Sequence, residues 1–65
     1  MGKWTRVSDF QQVRSDGDTT LTIEQMDKYW RWSVTKGGQY VCDDEVGDYA
    51  HSEREAKILA EFYSI

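Results

Sequence analysis

The run Tyr29-Trp30-Arg31-Trp32-Ser33-Val34 constrains this chain more than any other stretch. Side chains alternate sides along a strand, so Trp30, Trp32 and Val34 share one face and Tyr29, Arg31 and Ser33 share the other. Each buried indole removes on the order of 200 Å² from water, so the Trp30/Trp32 face is the expected centre of the core. A 65-residue chain is read as one domain over residues 1–65. Chains of this size bury only about 60% of the surface they expose when unfolded, and their margin of stability is thin. Cys42 is the only cysteine and His51 the only histidine, which excludes an internal disulfide and a Cys/His zinc site. Dense aromatic packing, with three Trp, four Tyr and two Phe available, and self-association are the remaining routes to stability.

Around the tryptophan strand the turn chemistry sets the order of elements. Trp4, Val7, Phe10 and Val13 recur every third residue, a spacing that fits neither strand nor helix well. Ser8-Asp9-Phe10-Gln11 reads as a capping box opening a helical turn, and Phe10 to Arg14 reads as a strand. The strand is preferred, because Ser15-Asp16-Gly17-Asp18 is a turn and an alternating strand, Thr19 to Gln25, follows it. Thr35-Lys36-Gly37-Gly38 closes a further hairpin, with a strand returning over Gln39–Cys42. Ser52-Glu53-Arg54-Glu55 is a capping box in which the Ser52 hydroxyl takes the Glu55 amide.

The helix that follows places Ala56, Leu59, Ala60 and Tyr63 on one face and Ile58, Phe62 and Ile65 on a neighbouring one. The expectation is an α+β fold: a three- or four-stranded antiparallel sheet over about residues 10–50, with one C-terminal helix over about 53–63 packed on it. Trp4 and Phe10 are expected to cover Ile58, Phe62 and Ile65. Left uncovered, those three side chains form a stripe suited to a homodimer or another partner.

Net charge is −4 and uneven: residues 1–36 sum to +1 and residues 37–65 to −5. The acidic half counts against phosphate binding, which draws on Lys and Arg. Asp43, Asp44, Glu45 and Asp48, with Glu53 and Glu55, form a candidate partner-binding surface of negative charge. Its alternative reading is a solvated loop. The run lacks the alternating D-x-D-x-D-G spacing of a calcium loop, so no metal or other cofactor is expected. No catalytic group is expected either. There is no Gly-rich phosphate loop, His51 adjoins a Ser52 already used as a cap, and the acids beside Cys42 disfavour its thiolate. The opening Met1–Arg6 has no apolar run of signal-peptide length, and nothing later reaches membrane-span length, so a soluble cytoplasmic protein is expected.

The run Trp30-Arg31-Trp32-Ser33-Val34, a hairpin, then Gly47, Ser52, Glu55-Ala56-Lys57 and Ala60-Glu61 resembles the ending of many short phage and prophage proteins. This likeness over residues 29–61 implies a viral accessory protein that binds and blocks a host component, including CRISPR and restriction machinery. The stretch also resembles the back half of a double-stranded-RNA-binding domain, whose last helix opens Ser-Lys-Lys-x-Ala-Lys. Here it reads Ser52-Glu53-Arg54-Glu55-Ala56-Lys57, with an acid at the first basic position. The leading expectation is therefore a non-enzymatic phage-type inhibitor of a host protein, nucleic-acid-binding host proteins included, acting through the acidic surface in the host cytoplasm. The alternative is a small nucleic-acid-binding module using Arg31, Lys36, Arg54 and Lys57.

Overall fold

The computed structural model describes residues 2–65. It contains β1 (Thr5–Arg6), β2 (Gln11–Asp16), β3 (Thr19–Gln25), β4 (Trp30–Lys36), β5 (Gln39–Asp43) and α1 (Glu53–Tyr63). The strands form one antiparallel sheet in chain order, and the helix packs on one side of it. The α+β expectation holds, but the sheet has five strands rather than three or four. The additional strand is β1, which pairs Thr5 with Val13 and Arg6 with Gln12. Residues 7–10 fold back to make this possible: the Val7 and Ser8 amides both donate to the Gln11 carbonyl, and the Phe10 amide donates to Ser8 Oγ.

Two of the hairpins follow from their turn residues. β2 and β3 join through Gly17-Asp18, and β4 and β5 through Gly37-Gly38. Gly37 and Gly38 have φ of 60° and 81°, the left-handed conformations that a type I′ turn demands at both central positions. The pairing sets Leu21 beside Val34, Ile23 beside Trp32 and Val34 beside Cys42, so one face collects the apolar residues of three strands. Ala56 and Ala60, both fully buried, lie over that face and let the helix approach closely. Leu59 and Tyr63 pack at its sides, and the Tyr63 ring stacks on Trp32 with centroids 5.1 Å apart.

Trp32 is 1% exposed, while Trp30 is partly buried and forms an antiparallel bridge to Ala50. Gly47 lies against the Trp32 ring so closely that a Cβ there would sit 2.5 Å from Cζ2. The indole Nε1 donates to the Asp48 carbonyl at 2.6 Å, so the chain between β5 and α1 is pinned onto the core. The helix begins as its capping box dictates, with Ser52 Oγ accepting the Glu55 amide at 3.1 Å. Glu55 reaches one residue further back than the box requires, accepting the His51 amide rather than that of Ser52.

The opposite sheet face is polar. Thr22 and Ser33 lie side by side, as do Thr20 and Thr35, and Glu24 sits beside Arg31. Among the described residues no helix covers it, and no helix is long and apolar enough to cross a membrane.

Candidate functional site

The acidic stretch starts where β5 becomes irregular. Val34 pairs with Cys42 and Thr35 with Tyr40, so Val41 is the extra residue of a β-bulge that bends the strand before the acids begin. The Asp43 carbonyl accepts the amides of Val46 and Gly47, and its carboxylate accepts the Glu45 amide at 3.0 Å and the Tyr40 hydroxyl at 3.1 Å. Asp43 is thus half-buried and builds the turn.

Asp44 departs from the surface role expected of it. Its side chain is 1% exposed, and neither carboxylate oxygen has a hydrogen-bond partner. The nearest cation is Arg31, whose Nε lies 3.5 Å from Asp44 Oδ2. A buried carboxylate is tolerated only beside a compensating charge, and Asp44 in turn holds the Arg31 guanidinium above its ordinary pKa. Asp44 anchors the loop from inside.

Glu45 and Asp48 are the exposed acids of this loop, and neither has a cationic partner among the described residues. Exposed Val46 lies between them in sequence and is 69% accessible. Glu55 is half-buried and turned to His51. Glu53 belongs to a different flank, being 2.9 Å from Lys57 and facing the Gln12 side chain and Arg6 of the first two strands. The hydrogen bond from Lys57 is the chief reason the Glu53 carboxyl is held below its ordinary pKa, against partial desolvation and with help from Gln12 and Arg6. The six candidate acids therefore divide into two exposed loop acids, a turn builder, a buried anchor and two helix-end groups.

The N-terminal residues do not cover the apolar stripe. Ile58 is 52% exposed, Phe62 65%, and Ile65 fully exposed. Electrostatics draw Trp4 elsewhere: its indole N–H donates to Glu61 at 3.3 Å, and the Lys57 ammonium sits 5.6 Å from its ring centre. Phe10 stays in the turn before β2, 60% exposed. Helical geometry places Ile58 and Phe62 on the outward side of α1, roughly opposite the Ala56/Ala60 seam, and Ile65 follows the Ser64 cap.

The four candidate cations are spread out. Arg31 is on the open sheet face beside Asp44, and Lys36 is at the β4–β5 turn. Lys57 is engaged by Glu53 and Trp4, and Arg54 is exposed on the helix. Sequence reasoning did not single out a recess of about 170 Å³ on the open face, bordered by Gln11, Thr22, Glu24, Arg31, Ser33 and Asp43. Only the pairing register brings these polar residues of four strands together. Among the described residues no three His, Cys, Asp or Glu side chains converge as a metal-binding group. No protein-family description, curated protein or solved structure matches the chain.

Proposed function

We propose that this is a non-enzymatic binding protein that engages another protein through the 43–48 loop and the adjoining end of α1. The observation that carries this reading is the pair Glu45 and Asp48. Both are exposed and have no cationic partner among the described residues, on a loop that Trp32, Asp44 and Gly47 join to the core. Charges presented on a fixed scaffold steer a complementary partner and lose little freedom on binding. The resemblance of residues 29–61 to short phage accessory proteins supports a host component as the partner, in the manner of anti-defence inhibitors such as those that block CRISPR complexes. The scattering of Arg31, Lys36, Arg54 and Lys57 over separate surfaces favours a protein partner over nucleic acid, which needs clustered cations.

The test compares wild type with the double variant Glu45→Lys/Asp48→Lys as bait in a bacterial lysate, identifying retained proteins by mass. A protein held by wild type and released by the variant, with both baits equally folded by circular dichroism, is the expected result. Identical retention by both would refute the acidic-loop reading. Direct binding to duplex RNA or DNA, weakening steeply with salt, would favour the nucleic-acid alternative.

A further inference from the structure

We infer that Ile58 and Phe62 are covered by the same residues of a second copy, the two α1 helices lying antiparallel about a two-fold axis beside Ile58, with Arg54 of each copy on Glu61 of the other. This does not rest on the binding reading above. The 43–48 loop is elsewhere, since Gly47 meets Trp32 and Tyr63 on the sheet-facing side of α1.

The pattern belongs to one helix. With about 100° between successive residues, Ile58 lies at the centre of the outward face and Phe62 about 40° to one side, while Arg54 and Glu61 lie about 40° and 60° to the other. Ile58 and Phe62 are both more than half exposed. Arg54 is exposed and has no acidic partner among the described residues. Glu61 is 42% exposed, and the bonds it accepts from Trp4 Nε1 and Arg14 Nη1 both end on Oε2, so Oε1 has no partner among the described residues. An unpaired cation and a half-used carboxylate thus stand one heptad apart on the same rim of a bare apolar ridge.

A second copy matches that order. A two-fold axis between antiparallel helices sets each rim beside its own copy with the direction reversed, so that residue i meets residue j and j meets i. About Ile58, each Arg54 then falls within one residue, about 1.5 Å of rise, of the level of the other copy's Glu61. Opposite charges so placed fix the register of the apolar contact. The other acids of the helix are already engaged, Glu53 by Lys57 and Glu55 by the His51 amide. The ridge is narrower than a standard interface, so the dimer is weak, monomeric at about 10 μM and largely paired near about 1 mM.

Sedimentation equilibrium of the full chain across that range should give a mass rising from 7.6 kDa toward twice that value. Salt is held at about 0.15 M, where repulsion between copies of net charge −4 is screened beyond about 8 Å. Phe62→Ser and Arg54→Glu, each checked for fold by circular dichroism, should weaken the dimer at least about tenfold, and Arg54→Lys should leave it within about threefold. Helix axes about 8–10 Å apart bring residues beside the two-fold within disulfide reach, so Ile58→Cys should give a linked dimer in a glutathione redox buffer. Asp48→Cys, on the loop, should stay unlinked, and the native Cys42 is buried.

A chain still monomeric near about 1 mM overturns the inference, whatever else the ridge binds. So does a dimer indifferent to Phe62→Ser, which uses another surface, or one indifferent to Arg54→Glu, which is not paired on Glu61. Equal linking of Ile58→Cys and Asp48→Cys overturns it as well. The acidic-loop reading stands or falls separately, on the Glu45→Lys/Asp48→Lys bait.

Discussion

Asp44 shows how far a residue's role is decided by where its neighbours put it. Among Asp43, Asp44 and Glu45 it is chemically unexceptional, yet its carboxylate is the one taken inside, 3.5 Å from Arg31 Nε. Removing Arg31 would strand a buried charge, whereas removing both members would leave only altered packing. Arg31→Met should therefore destabilise the protein by about 3 kcal/mol, toward the lower end for broken buried pairs because the Arg31 side chain is itself 44% exposed. Arg31→Met/Asp44→Leu, which replaces both charges with apolar groups, should regain most of that loss, which a double-mutant cycle from urea unfolding would read directly. If Arg31→Met alone is neutral, Asp44 is not the loop's internal anchor.

Among the elements, the helix depends most on a single terminal residue. Ser52 Oγ holds the Glu55 amide, and Glu53 and Glu55 place negative charge in the first turn where the helix dipole favours it. Ser52→Ala should cost about 1 kcal/mol in urea unfolding, with Ser52→Asp close to neutral. Where an element carries its own local signal, the sequence is readable: this cap, the Gly37-Gly38 turn and the alternation of β3 and β4 all lie where residue chemistry places them. β1 is not readable, because two residues beside a fold-back have no periodicity, and their pairing with Gln12 and Val13 is settled by the rest of the sheet. Burial of Asp44 is equally hidden, since it depends on the bulge at Val41 and on Arg31 arriving from the neighbouring strand. The stripe Ile58/Phe62/Ile65 was legible as apolar. Its exposure was not, because the competition for Trp4 by Glu61 and Lys57 is a tertiary event.

At the scale of the whole molecule, the acids divide between an unpaired loop and a paired flank. Glu45 and Asp48 add like charge to an already negative half and have no cationic partner among the described residues. Along the other flank, Glu61 ties α1 to β2, Asp16 ties the chain start to β2, and Glu53 is paired within the helix. Arg14 bridges Asp16 at 2.9 Å and Glu61 at 2.5 Å, the Gly2 amide donates to Asp16, and Lys57 binds Glu53. The Gly2 hydrogen bond foremost, and Arg14 after it, hold the Asp16 carboxyl below its ordinary pKa, as Lys57 does for Glu53. A carboxyl whose pKa is lower folded than unfolded binds fewer protons when folded, so stability rises with pH across the interval between the two values. The contribution of this flank is complete above about pH 5.5 and is lost as pH falls through the lowered folded-state values. Urea unfolding from pH 6 down to about pH 2.5 should therefore show declining stability in wild type. Asp16→Asn/Glu53→Gln should flatten that decline. A decline unchanged by Asp16→Asn/Glu53→Gln would mean that the Gly2–Asp16–Arg14 contacts of β2 and the Glu53–Lys57 pair of the helix are not what makes the fold sensitive to acid.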